Sequence, residues 1–452
     1  MSSQRADSPK LFFNPLRSRF LWFTSGAHLL VAVALGQVFF FAPDEGGYLQ
    51  IFKHTYISSF STSSVLGWSN SQTYFLRIVY APAKILTSLG VPDYLSIRVL
   101  AIFTSMIAIY LLMCIYQFES HTGFPLLAQF FFFTPSLFLW MTLGLRESFI
   151  YLSLSMICFG IFGMHRAMLP MGFTFLVFGN LILFETKSYL FLLVACASFV
   201  YLGFEFIKSK KVGVAQVLVA AAVVLPVLLN PTGDSYLIAS IKGTFTAVSS
   251  TGQVGLATVS DAQAHVASEN AATTTSGLCQ SISSHPEGKL SKTFKFLGFS
   301  KNCASKGSGS GSGSGSGASG YRTSRLNVEP ARFGDPLSIA YRTSGFLFTP
   351  FPFIDNGSLF LNVAALESPF WWFLYIAFGV VIWRRVRYKA FDAVLVFLFS
   401  FSILFTLFSA FTEINVGTLA RHRSVLVFPL FYFMAYGFRK TKRNDEILEA
   451  SA

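Results

Sequence analysis

Charged residues are scarce in this chain. Asp, Glu, Lys and Arg make up 12% of the 452 residues, whereas hydrophobic residues make up 53% and aromatic residues 17%. A water-soluble protein usually carries about 25% charged residues, so this composition lacks the polar side chains needed to cover a soluble body. The shortage excludes a soluble enzyme, a nucleic-acid-binding protein and a disordered scaffold. It predicts an all-α polytopic membrane protein in contact with lipid.

Cysteine is also rare, with five residues in the whole chain. Cys114, Cys158 and Cys196 lie inside apolar segments, where cysteine behaves as a small buried residue. Cys279 and Cys303 lie in one long polar segment, and an oxidising exterior would favour a disulfide between them. No Cys/His spacing in the sequence is typical of a zinc site.

Long apolar runs, by contrast, are abundant. A hydrocarbon core about 30 Å thick needs about 20 apolar residues in a helix, and the sequence predicts ten such spans. They lie at roughly 20–41, 97–117, 124–143, 149–164, 167–184, 189–207, 212–230, 368–383, 391–411 and 424–438.

Basic residues cluster before the first predicted span and after the sixth, eighth and tenth. With ten spans, all four clusters fall on one side, which the positive-inside rule makes cytoplasmic. The sequence therefore predicts a protein of the plasma (inner) membrane with both termini, 1–19 and 439–452, in the cytoplasm. The four clusters lie within 5–19, 208–211, 384–389 and 439–443.

Two long segments between spans are then expected outside the cytoplasm, at 42–96 and 231–366. The second contains Gly-Ser repeats over 307–317, natural or engineered, which predict a flexible coil. In the first, 74–89 is apolar with a narrow polar stripe, which suits a helix lying in the membrane interface. The predicted organisation is a transmembrane module at 20–230, the loop 231–366 and C-terminal transmembrane helices at 367–438.

Acidic and basic residues gather at the predicted outer ends of several helices. Ionisable residues at membrane depth are costly, so their placement is informative about function. The groups are Asp44 and Glu45, Arg146 and Glu147, Glu185 and Lys187, Glu413 with Arg421, His422 and Arg423, and Arg332, Asp335 and Arg342.

This mixture suits one reaction at the outer leaflet. A carboxylate can take a proton from a hydroxyl, and Arg and Lys can hold a phosphate. Nucleotide sugars are not available outside the membrane, so the donor expected there is a sugar on a polyprenyl-phosphate carrier. The predicted reaction joins that sugar to a glycan or to a lipid-linked acceptor by direct displacement, with inversion at the sugar carbon.

These residues resemble the GT-C superfamily of integral-membrane glycosyltransferases. That family has an acidic motif just after its first span and a second acidic site between spans three and four, positions that Asp44-Glu45 and Glu147 match. The resemblance covers roughly 15–230. It implies a GT-C-like helical module in which Asp44, or secondarily Glu45, is the catalytic base. Some members bind a divalent cation with both acidic sites, but Arg146-Glu147 is not a paired-acid motif, so metal dependence stays open.

The phosphate-binding residues are inferred from charge and side of the membrane and not from a family motif. Lys187 and Arg421 or Arg423 are the first candidates, together with Arg146 and His422. Arg332 and Arg342, in the long loop, are predicted to contact substrate.

Other interpretations remain open. An O-antigen-type polymerase or ligase also acts on lipid-linked glycans and would use the Arg and His residues of 421–423. A lipid or glycan transporter or flippase would place charges near the middle of the membrane and show inverted repeats. Asp44-Glu45 could simply end the first span after Pro43, and Arg146-Glu147 could be a local ion pair at a helix end.

Overall fold

The computed structural model describes residues 12–37, 43–54, 70–120, 124–229, 335–350, 352, 359–388, 391–412 and 416–437. All regular secondary structure in these ranges is helical, which confirms the predicted all-α class. The predictions for the Gly-Ser tract, Cys279, Cys303, Arg332 and Glu413 fall outside the described residues.

The helices up to residue 229 form most of the described bundle. They are α1 (Arg19–Leu35), α2 (Pro43–His54), α3 (Asn70–Ser88), α4 (Asp93–Ser120), α5 (Leu126–Phe131), α6 (Pro135–Thr142), α7 (Glu147–His165), α8 (Leu169–Thr186), α9 (Ser188–Ser209) and α10 (Val214–Leu229).

The later helices are α11 (Pro336–Phe348), α12 (Leu359–Ala365), α13 (Ser368–Arg387), α14 (Ala393–Thr412), α15 (Val416–Arg423) and α16 (Val427–Gly437). Short 3-10 helices at Pro15–Arg17 and Ser424–Leu426 precede α1 and α16.

Within the described ranges, six helices are long and apolar enough to cross a membrane: α4, α7, α8, α9, α13 and α14. The helices α1 and α10 are apolar but shorter. One face of α13 shows why a membrane is needed, because Phe373, Ile376 and Trp383 are each more than half exposed. Such a stripe would be costly in water and is favourable against lipid. The protein is therefore a helical membrane protein.

Some predicted spans differ in detail from the helices. The first ends at Leu35, because Gly36 adopts a left-handed φ of 52° that stops the helix. The third, 124–143, is two short helices, α5 and α6. Thr134 between them is extended, as expected for a residue before proline, and Pro135 opens α6. The tenth corresponds to a 3-10 turn and the 11-residue α16.

The centre of the bundle is α7, which packs against α4, α6, α8, α10, α14 and α16. Its close approach to α8 depends on glycine. A Cβ atom on Gly172 would lie 2.7 Å from the Met164 backbone nitrogen, and one on Gly179 would lie 2.9 Å from the Ser153 carbonyl oxygen. This packing fixes the start of α7 beside the end of α8.

The predicted loop 231–366 contains ordered helices near its end. α11 begins with Asp335, whose carboxylate accepts a 3.0 Å hydrogen bond from the Leu337 backbone N–H, followed by Pro336 at the first helical position. It packs against α13, α14 and α15. This part of the loop therefore supports the helices that carry Arg421 and His422.

Candidate active site

Four of the predicted site residues meet at one end of the bundle. Glu147 starts α7, Lys187 lies between α8 and α9, and Arg421 and His422 lie in the last turn of α15. We call Glu147, Arg421, Lys187, His422 and the adjacent Arg146 the charged cluster.

Glu147 is the centre of the charged cluster. It is the first residue of α7 and is 1% exposed. A carboxylate in this first turn interacts favourably with the helix dipole, by about 0.3–1 kcal/mol at exposed sites. That contribution alone does not offset the desolvation of a buried charge, which requires a partner.

Arg421 is that partner. Its Nε donates a 2.8 Å hydrogen bond to Glu147 Oε1, and its Nη2 lies 2.6 Å from the same oxygen, although the two residues are 274 positions apart in sequence. The guanidinium also lies over the Trp140 ring, 5.3 Å from its centroid. Ring and carboxylate together hold Arg421 in one orientation.

The hydroxyl groups of Ser424 and Tyr151 connect the Arg421 backbone to α7. The Ser424 hydroxyl donates to the Arg421 carbonyl oxygen at 2.5 Å, so the Ser424 oxygen is left to accept from the Tyr151 hydroxyl, also at 2.5 Å. Tyr151 lies one turn beyond Glu147 on α7. The backbone and the side chain of Arg421 are therefore both anchored to α7.

Lys187 contributes a second cation. It is 5% exposed, and its Nζ lies 2.8 Å from His422 Nε2 and 4.9 Å from the centre of the Tyr189 ring. Because an ammonium can only donate, a charged Lys187 donates this hydrogen bond and His422 Nε2 accepts it. The pair joins the α8–α9 junction to α15.

Arg146 adds a third cation, so Arg421, Arg146 and Lys187 all act electrostatically on the single Glu147 carboxylate. Arg146 is half-buried, and the Arg421 side chain is 17% exposed, whereas Glu147 is almost fully covered. The accessible part of the charged cluster is therefore cationic. That arrangement suits an anionic group such as a phosphate and disfavours a divalent cation beside Glu147.

Glu45 has a different set of partners. Its Oε1 and Oε2 accept from Arg98 Nε and Nη2 at 2.8 and 2.9 Å, and Oε1 also accepts from the Gly144 backbone N–H at 2.7 Å. Arg98 is 0% and Glu45 is 3% exposed. Both carboxylate oxygens are thus engaged, which favours a structural role for Glu45 over its predicted role as second candidate for the base.

Asp44, the first candidate for the base, lies in the first turn of α2, and its side chain is outside the described part of the structure. Its neighbour Glu45 contacts Gly144, three residues before Glu147. The backbone that carries Asp44 is therefore fixed against the turn that carries the charged cluster.

Arg423, an alternative to Arg421 in the predicted phosphate site, contacts a different set of groups from those of the charged cluster. It is 0% exposed, its Nη1 donates to the Thr349 and Leu347 carbonyl oxygens at 2.8 and 3.3 Å, and its guanidinium lies 4.7 Å from the Trp371 ring centroid. Burial lowers the pKa of the Arg423 guanidinium, and the Glu367 carboxylate opposes that shift. These contacts stabilise the junction of α11 and α15.

Glu367 and Arg342 are also buried. Glu367 accepts hydrogen bonds from both the backbone N–H and the hydroxyl of Ser136, which ties α13 to α6. Arg342 is 3% exposed on α11, and its contact with substrate stays a prediction.

Sequence reasoning missed Arg98, Trp140 and Tyr151. Arg98 stood one residue inside a predicted span, where an arginine is costly and calls for a partner, so its position was informative. Trp140 and Tyr151 had no comparable indication, because aromatic residues are common throughout this sequence.

No protein-family model, no curated protein and no solved structure matches the chain. Among the described residues, no group of three or more His, Cys, Asp and Glu side chains is placed to hold a metal ion.

Proposed function

We propose that this protein is a membrane glycosyltransferase that moves a sugar from a polyprenyl-phosphate donor to a cell-surface glycan or lipid-linked acceptor. The single observation that carries the proposal is the charged cluster, in which one buried carboxylate is paired with Arg421 and interacts electrostatically with Arg146 and Lys187 at the end of apolar helices. A phosphate attached to a lipid would reach such a site from the membrane while its charge meets Arg146, Lys187 and Arg421.

In the proposed reaction, the acceptor hydroxyl oxygen attacks the anomeric carbon as the bond from that carbon to the donor phosphate oxygen breaks. The hydroxyl proton passes to the Asp44 carboxylate, and polyprenyl phosphate leaves with one more negative charge than it carried in the donor. Cations held in place near that phosphate stabilise the charge as it develops, which lowers the barrier. Displacement in one step inverts the sugar carbon.

Glu147 serves this reaction indirectly. Its ion pair with Arg421 holds the guanidinium in one orientation, so no side-chain reorganisation is needed at the moment of reaction. The proposal includes the ten-span topology, with the charged cluster at the extracytoplasmic face, where lipid-linked sugars are the available donors.

An O-antigen-type polymerase or ligase is the second candidate, favoured by the contact between His422 and Lys187. Such an enzyme would join lipid-linked oligosaccharides and would not need Asp44. The product separates the two functions: transfer of single sugars supports the glycosyltransferase, whereas growth by whole repeat units supports the polymerase.

The test is Asp44→Asn in the full-length protein, reconstituted in lipid nanodiscs with labelled polyprenyl-phosphate hexoses and a membrane glycan extract. Loss of the base should lower transfer by about 10²–10⁴-fold with little change in melting temperature. Asp392→Asn is the matched control, because Asp392 caps α14 through the Leu395 N–H and Asn caps a helix equally well.

Full transfer by the Asp44→Asn protein would remove Asp44 as the base. Absence of transfer from every donor by the unmodified protein, together with no binding of polyprenyl phosphate, would reject the glycosyltransferase.

A further inference from the structure

A second buried assembly stands beside the charged cluster, and it joins three helices through one side chain. Arg98, on α4, donates from Nη1 to the carbonyl oxygens of Ala32 and Gly36 at 2.9 and 2.7 Å. These carbonyls end α1, where helix geometry leaves them without partners of their own. The same guanidinium binds both oxygens of Glu45 on α2.

Arg98 contacts one residue on each side of the connection between α1 and α2. Gly36 lies on one side of residues 37–44 and Glu45 on the other, and Arg98 contacts both. Because the guanidinium is planar and donates in fixed directions, it sets the separation and orientation of these two points in a way that a lysine cannot. Asp44 directly precedes the second point.

Gly144 connects this assembly to the charged cluster. Glu45 Oε1 accepts from the Gly144 N–H, and a Cβ atom on residue 144 would lie 3.1 Å from this oxygen and 2.7 Å from Ile97 Cγ2. The close approach therefore needs glycine. Through this contact the start of α2 is held against the turn that ends in Arg146 and Glu147.

We propose that Arg98 is a positioning residue that fixes the start of α2, which carries Asp44, relative to the charged cluster. The distance and orientation between the base and the phosphate site are then kept constant. The kinetic part of this inference rests on the proposed function, whereas its geometric part does not. A misplacement of about 1 Å can lower a catalytic rate by about 10²-fold without removing any reacting group.

The test is Arg98→Lys, which keeps the charge and loses the two-pronged contact. The kcat for sugar transfer should fall by about 10²-fold, while the KM for the donor stays within about threefold because Lys187 and Arg421 are unchanged. Gly144→Ala places a Cβ atom against Glu45 and Ile97 and so disturbs the same contact. It should lower kcat by about tenfold.

Arg166→Lys is the control for a purely structural effect. Arg166 pairs with Glu119 at the far end of α4 and is remote from both assemblies. It should lower the melting temperature, because a buried carboxylate loses part of its contact with the guanidinium, and leave kcat and KM unchanged. If Arg98→Lys behaves in the same way as Arg166→Lys, the positioning role is wrong.

A second readout does not need activity. Spin labels at Lys53 on α2 and Lys210 after α9, both exposed, would report the position of α2 in a cysteine-free full-length chain. Arg98→Lys should broaden or shift the distance distribution, and Arg166→Lys should not. If the unmodified protein transfers no sugar but the distribution still shifts, the proposed function fails and the positioning stands. An unchanged distribution rejects the positioning in either case.

Discussion

The two ends of the α4–α7 pair hold buried charges in different ways. At the far end, Arg166 pairs with Glu119 and lies within 6 Å of the ring centroids of Phe118, Phe162 and Tyr436. At the near end, Arg421, Arg146 and Lys187 all act electrostatically on Glu147. One Arg–Glu pair would have sufficed to join the helices at either end.

This difference in charge between the two ends indicates which end carries function. A buried ion pair is expensive to form and contributes little net stability over apolar packing, so a fold gains nothing by gathering more charge than its packing requires. Cations in excess of carboxylates leave a field that a ligand can complete. Among the described residues, the near end brings three cations to one buried carboxylate, so the predictions compare matched substitutions at the two ends.

The largest effect is expected from Glu147→Gln compared with Glu119→Gln. Each leaves a partly buried guanidinium without its carboxylate, and each should lower the free energy of unfolding by about 1–3 kcal/mol. Only Glu147→Gln should also lower kcat/KM per folded protein, by about 10²-fold, because Arg421 loses its orientation. Thermal unfolding in nanodiscs and transfer assays measure both. Equal loss of activity at both ends would remove the distinction between them.

A smaller effect is expected from Lys187→Gln compared with Lys208→Gln, at the two ends of α9. Loss of a charged hydrogen bond to the donor phosphate, worth about 1.5–3 kcal/mol, should weaken binding by about 10- to 10²-fold. Lys208 is exposed, so its replacement should leave binding unchanged. Titration of purified protein with polyprenyl phosphate provides the measurement. Equal affinities for the two variants would place the phosphate elsewhere.

The smallest effect is expected from Tyr151→Phe compared with Tyr432→Phe. Tyr151 donates to Ser424, which supports Arg421, whereas Tyr432 lies 2.8 Å from Ser155 Oγ, which donates to the Ala108 carbonyl oxygen. Each variant should lose about 1 kcal/mol of unfolding free energy. Only Tyr151→Phe should weaken donor binding, by about two- to fivefold. A change in binding with Tyr432→Phe would show that the two hydroxyl pairs are not distinct in function.

The helical class was predictable because lipid imposes long apolar runs that a sequence shows directly. The breaks were predictable in principle too: Gly36 and Thr134-Pro135 are local features, and they end α1 and divide the third span. The presence of the helix α11 within 231–366 was harder to predict, because α11 is stabilised by packing against α14 and α15, which are distant in sequence.

The candidate site was predictable only as a set of residue types. Helix ends rich in acid and base pointed to Glu147, Lys187 and Arg421, but not to which of them pair. Glu45 and Arg423 illustrate the limit: each was a candidate, yet the side chains contact Arg98 and the Thr349 carbonyl oxygen. Neighbouring residues on a helix point in different directions, so adjacency does not assign a role.

The sequence distance between Glu147 and Arg421 also affects how the protein is made. A ribosome completes α7 long before α15, so Glu147 is synthesised well before its ion-pair partner Arg421. A fragment that stopped before residue 416 would retain the six helices long enough to span a bilayer and would lack both Arg421 and His422. Insertion and completion of the site are therefore separate events in biogenesis, and only the full-length chain can join the two.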